Sequence, residues 1–215
     1  MGSSTYQAVF DALSIVRRLE GALDGVTSSE VHLISYVACL LSIYRRFAAS
    51  EWGYGFIRSQ WGAPFSADLE NGLTTLTASG LLASREEVLA TTDSGKELGN
   101  FLNTTTEHSW RAEFLEGACA SVLAMPVGSI REALHHEPSL RRAKVHKQPR
   151  VLLAGEDTAL YEQFGALNDV VGAKVTDLMV PSVVWLSYLA EMRRLEMERA
   201  ATSELNPDPE SGLGE

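Results

Sequence analysis

GAPFSADLENGLTTLTASGLL (residues 62–82), followed by LATTDSGKELG (residues 89–99), decides the fold. In the first stretch Leu69, Leu73 and Leu76 share one helical face, Ser66 stands at the N-cap position, and Gly80 offers the left-handed stop that ends many helices. Between the two stretches, Leu81 to Ala90 carries short apolar runs on either side of Arg85, Glu86 and Glu87, which predicts a two-stranded hairpin with a charged tip. TTDSGKELGNFL then resumes as a helix.

Working outward toward the N-terminus, EWGYGFIRSQWGAPFS (51–66) is rich in glycine and aromatics and reads as a packed connection with one short helical turn. Its Trp52, Tyr54, Phe56, Trp61 and Phe65 are expected to form an aromatic cluster that seats the turn before the third helix. Upstream, VHLISYVACLLSIYRRF (31–47) is apolar almost all round and predicts a central helix ending near Phe47. Thr27 and Glu30 have capping-box spacing at its start. Tyr6, Val9, Phe10, Leu13, Val16 and Leu19 give a first amphipathic helix over 5–22.

Helix, helix, Ser-capped helix, charged hairpin and closing helix, in that order, resemble the winged helix-turn-helix fold. The two opening stretches are similar to the helix, Gly-Leu-Leu, wing, Leu-Thr-x-x-Gly-helix pattern of MarR-like and PadR-like domains. The fold class expected is therefore mainly α: a winged helix-turn-helix with a small β-hairpin wing plus additional C-terminal helices. The winged unit with its N-terminal helix is expected over 1–104, a helical extension over 105–202, and a disordered acidic tail over 203–215, where TSELNPDPESGLGE is rich in Pro, Gly and carboxylates.

Within the extension, Trp110, Phe114, Leu115, Ala118 and Val122 mark one helix that breaks near Met125-Pro126. Ser129 and Glu132 suggest a capped short helix, HHEPSLRRAKVHKQPR (135–150) reads as a loop or linker, and the remainder predicts a short extended piece and two helices, the second from about Pro181-Ser182. The apolar residues Val183, Trp185, Leu186, Tyr188, Leu189 and Met192 fit either assembly into a homo-oligomer or packing against the helix at Trp110.

The composition is that of a globular chain: 45% hydrophobic and 21% charged. A net charge of −10 repels phosphate backbones and argues against a free-standing nucleic-acid binder, though local basic patches can still act. Cys39 and Cys119 sit in apolar helical patterns without histidines at metal spacing and read as core thiols. Without a signal-peptide pattern or an apolar run long enough to cross a bilayer, the expected location is cytoplasmic, with no membrane contact.

No phosphate loop, GxSxG elbow or HExxH motif occurs, His135 and His136 are neighbours whose side chains diverge on a helix, and His32 and His108 read as structural histidines. No enzyme, cofactor or metal is expected. In a DNA-reading winged helix the third helix brings basic and amide side chains to base edges and phosphates. Here it brings Asp68, Glu70, Asn71, Thr74 and Thr75 without a Lys or Arg, and the hairpin adds Arg85 beside two glutamates. Those six residues are therefore expected to hold a protein partner. In RRAKVHKQPR, Arg141, Arg142, Lys144, Lys147 and Arg150 place five of eighteen basic residues in ten positions, a candidate nucleic-acid contact or a solvated linker.

In size and layout the chain resembles the middle components of bacterial ABC-three-component systems and winged-helix accessory subunits of SMC-type complexes. That resemblance implies a non-enzymatic adaptor of a larger ATPase or effector subunit, in anti-phage or plasmid defence, with DNA reached through the complex. The alternative is a homodimeric MarR-like or PadR-like transcription regulator.

Overall fold

The computed structural model describes residues 6–144, 151–153, 158–172 and 175–205. Helix α1 (Tyr6–Leu19), strand β1 (Val26–Thr27) and helix α2 (Ser28–Tyr44) come first. The Thr27–Glu30 capping box forms: the Glu30 amide donates to Thr27 Oγ1 and the Thr27 amide donates to Glu30 Oε2 at 2.8 Å. Every residue of α2 from Val31 to Tyr44 is buried, as its all-round apolarity requires. The helix stops at Tyr44, three residues short of the expected end, because Arg46 turns left-handed at φ 71°.

A 3-10 turn (Ala49–Trp52) leads to strands β2 (Phe56–Arg58) and β3 (Pro64–Phe65), then to α3 (Ala67–Ala78). Ser66 caps α3 through the Leu69 amide. At its far end Gly80, at φ 70°, donates to Thr77 while Leu81 donates to Leu76 at 2.9 Å. This is the paired C-terminal closure that a left-handed glycine permits. Strands β4 (Leu82–Arg85) and β5 (Val88–Thr91) form the expected hairpin, and α4 (Asp93–Asn103) follows with Thr92 at its N-cap. β1 adds to β5 antiparallel, Val26 opposite Leu89, giving a sheet in the order β1-β5-β4.

The C-terminal half comprises α5 (Thr106–Ala124), α6 (Val127–Leu134), α7 (Pro138–Lys144), β6 (Val151–Leu152), α8 (Thr158–Val171) and α9 (Met179–Leu205). Among the described residues the chain is therefore mainly helical, with small antiparallel sheets. α5 packs against α1 and α2, and β6 pairs with β2 in a second sheet, β3-β2-β6, so residues on both sides of position 104 share one core.

Several expectations are corrected here. Ser129 lies inside α6, whose N-cap is Pro126, so it does not cap a helix. Residues 138–144 are helix rather than linker: the buried Glu137 carboxylate accepts the Ser139 and Leu140 amides at 2.9 and 2.7 Å, and Pro138 occupies the first helical position, where a missing N–H costs nothing. α9 continues through Leu205, so the first three residues of the expected tail are helical, and 206–215 lie outside the described residues. Trp185, Leu186 and Leu189 of α9 are buried within the chain, where α9 packs on α5, α6 and α8. That face is thus spent on intramolecular packing, while Tyr188 stays about half exposed. No single described helix is long and apolar enough to cross a membrane.

Candidate functional site: the α3–hairpin face and the basic hairpin tip

The residues expected to hold a partner do not behave alike. Thr74 and Thr75 are exposed on α3, each hydroxyl donating to the carbonyl one turn back, Glu70 and Asn71 respectively. Asp68 and Asn71 are half-buried beside them, and Arg85 is exposed at the end of β4. Glu70 instead turns inward. Its Oε2 accepts from Ser28 Oγ at 2.8 Å and faces His32 Nε2 at 3.0 Å. These bonds, the His32 one foremost, hold its carboxyl below the ordinary range against the opposing effect of burial. Glu70 therefore fastens α3 to α2 and is only partly available to a partner.

His32 completes the fastening. The Ser66 amide donates to its Nδ1 at 3.2 Å, so Nε2 carries the proton that goes to Glu70, and the ring lies tilted against Phe65 with centroids 4.6 Å apart. A serine hydrolase needs histidine between the hydroxyl and the acid. Here the acid lies between Ser28 and His32, and both ring nitrogens are engaged, which leaves no base nitrogen for a serine.

Between the start of α2, α3 and β4 lies an open groove of about 710 Å³. Thr27, Ser28, Thr74, Thr77 and Ser84 supply hydroxyls along it, Leu73 and Leu89 supply apolar surface, and Glu70 and Glu87 are its charged groups. At the hairpin tip Glu86 and Glu87 adopt φ 50° and 71°. Two consecutive left-handed residues suit Asn-Gly, and side chains such as glutamate are strained there. A second opening of about 630 Å³, near the 3-10 turn, β2 and β6, is lined among the described residues by Cys39, Tyr54, Phe56, Leu152 and Tyr161 with no charged side chain.

The basic segment divides. Arg141 pairs with Glu196 of α9 at 3.2 Å, beside His136. Arg142 and Lys144 are exposed on α7, while Lys147 and Arg150 lie outside the described residues. Sequence reasoning missed where Lys144 ends up. Arg58 of β2, Arg131 of α6 and Lys144 all act on His135, whose pKa is held below its ordinary value first by burial and then by those three charges.

Trp61 departs from expectation as well. Trp52, Tyr54 and Phe56 are buried, the Tyr54 ring touching both of the others, but Trp61 projects from the β2–β3 turn with 83% of its surface exposed and does not join the cluster. The buried aromatics instead surround an ion pair that no local pattern announced. Arg111 donates from Nε and Nη2 to Asp11 at 2.9 and 2.5 Å and from Nη1 to the Trp52 carbonyl at 2.7 Å, with its guanidinium 3.8 Å from the Trp52 ring centroid. Tyr54 donates to the same Asp11 carboxylate. No group of three or more His, Cys, Asp or Glu residues among the described ones could hold a metal ion. No protein family matches the chain, nor does any curated protein or any solved structure.

Proposed function

We propose that residues 6–103 form a winged-helix unit acting as a non-enzymatic adaptor, and that α3 and the β4–β5 hairpin dock onto a protein partner. The order α1, β1, α2, α3, β4, β5, with β1 pairing β5, supports the winged-helix reading. The observation that carries the adaptor reading is the chemistry of α3: its outward residues are Asp68, Asn71, Thr74 and Thr75, and the helix contains no Lys or Arg to offset phosphate charge. The strained Glu86–Glu87 tip supports it too, because a backbone cost is retained where a contact compensates for it. From the resemblance in layout, the partner is a larger ATPase or effector subunit, with DNA reached through the complex.

The test is co-purification from native cells, followed by reconstitution with the ATPase or effector recovered. Thr74→Arg and Glu86→Lys should abolish the complex without lowering the melting temperature, while a duplex mobility shift stays absent at 50 mM salt. A salt-dependent duplex shift by the unaltered protein, strengthened by Asp68→Lys, with no stable protein complex, would replace this reading with the homodimeric regulator.

A further inference from the structure

Arg58 and His135, remote in sequence, meet at the β2–β3 turn of an acidic chain. At Gly62, φ 84°, the place a Cβ would take lies 2.8 Å from Arg58 Nη2 and 3.3 Å from His135 Cε1. The guanidinium and imidazole therefore lie directly over the turn that carries Trp61. Arg131 and Lys144 act on the same imidazole, and among the described residues Arg58, Arg131 and Lys144 have no carboxylate partner. Among the described residues, Glu132 pairs with Arg193, Glu196 with Arg141 and His136, and buried Glu137 bonds Tyr36 and the start of α7. Like charges brought together without a described carboxylate between them repel one another, which an anionic ligand relieves, and the turn beside them carries an indole that is 83% exposed and open to an aromatic one.

We propose that the β2–β3 hairpin tip and the adjoining ends of α6 and α7 bind a short single-stranded nucleic-acid segment, with Trp61 stacking on a base and Arg58, Arg131 and Lys144 contacting its phosphates. The small extent of the patch decides between polyanions. Three cations match the phosphates of a few nucleotides, and the exposed indole offers its face to a base that is not already stacked inside a duplex. The site is independent of α3 and the β4–β5 hairpin.

Fluorescence anisotropy of the full chain with labelled dT12 tests it. Binding at 50 mM salt should weaken with added salt at a log–log slope of about −2, the value for three phosphate contacts on a single strand. Trp61→Ala should weaken it about 5- to 150-fold and Trp61→Phe only a few-fold, while an abasic 12-mer should bind weakly and ignore both changes. Arg58→Ala combined with Lys144→Ala should flatten the salt slope, and Thr74→Arg should leave dT12 binding unchanged. All these side chains are at least partly exposed, and matching melting curves confirm that each variant is folded. The proposal is overturned by no dT12 binding at 20 mM salt, by an unaltered affinity in Trp61→Ala, or by tighter binding to a 12-base-pair duplex. Competition by polyglutamate as effective as that by unlabelled dT12, or preferential sedimentation with phosphatidylserine vesicles, also overturns it.

Discussion

Replacing Arg111 with methionine isolates the buried ion pair at the centre of the molecule. Arg111 and Asp11 are 1% and 0% exposed, and the substitution keeps most of the aliphatic volume while removing three hydrogen bonds and the charge over Trp52. The Asp11 carboxylate is left in the interior with the Tyr54 hydroxyl as its remaining donor from this network. Removing one member of a buried pair costs about 3–5 kcal/mol, mostly the cost of the abandoned charge. With a urea dependence of about 2 kcal/mol/M, the unfolding midpoint should fall by about 1.5–2.5 M. Adding Asp11→Asn to Arg111→Met removes that charge and keeps an acceptor for Tyr54, so the double variant should regain about 2 kcal/mol relative to the sum of the singles. Urea melts of the four proteins at pH 7 decide the matter. A loss under about 1 kcal/mol in Arg111→Met, or strict additivity in the cycle, would refute the reasoning.

Glu70 gives a pH test: its folded-state pKa lies below the ordinary carboxyl value, so its contribution is complete above about pH 4.5 and vanishes as pH falls through the lowered value. The stability difference between the unaltered protein and Glu70→Gln should accordingly be largest near neutrality and shrink in urea melts toward pH 3. Glu86→Asn with Glu87→Gly relieves two left-handed glutamates and should stabilise the fold by about 1 kcal/mol, a rise of about 2–4 °C by calorimetry. The same change should weaken partner binding. Burial pushes the Cys119 thiol up to about 12 and the Cys39 thiol higher still, so neither should react with a disulfide reagent at pH 8 unless urea is added.

The elements that could be read in the sequence are those whose boundaries are set by neighbours along the chain. Ser66 and Gly80 bracket α3, Thr27 and Glu30 open α2, and the charged tip at Arg85 to Glu87 marks the hairpin. α7 escaped because its cap is a glutamate, an uncommon capping residue, although Pro138 was a usable signal. The strands of the second sheet are two or three residues long and gain their meaning from β6 arriving beside β2, a long-range event with no local pattern. The same holds for the candidate sites. The α3 surface is contiguous and was legible, except that Glu70 is turned inward by His32, a residue on another helix. Arg58, Arg131 and Lys144 belong to three separate elements, and composition alone grouped Trp61 with the aromatics that are buried.

The burial of α2 on all sides also has a consequence during synthesis. A ribosome that has released α2 but still holds α5 in its tunnel leaves the α5-facing side of this apolar helix uncovered, and Asp11 waits for a cation one hundred residues away. During that interval the nascent chain exposes surface that favours aggregation, and the interval closes when Arg111 emerges and α5 can settle across α1 and α2.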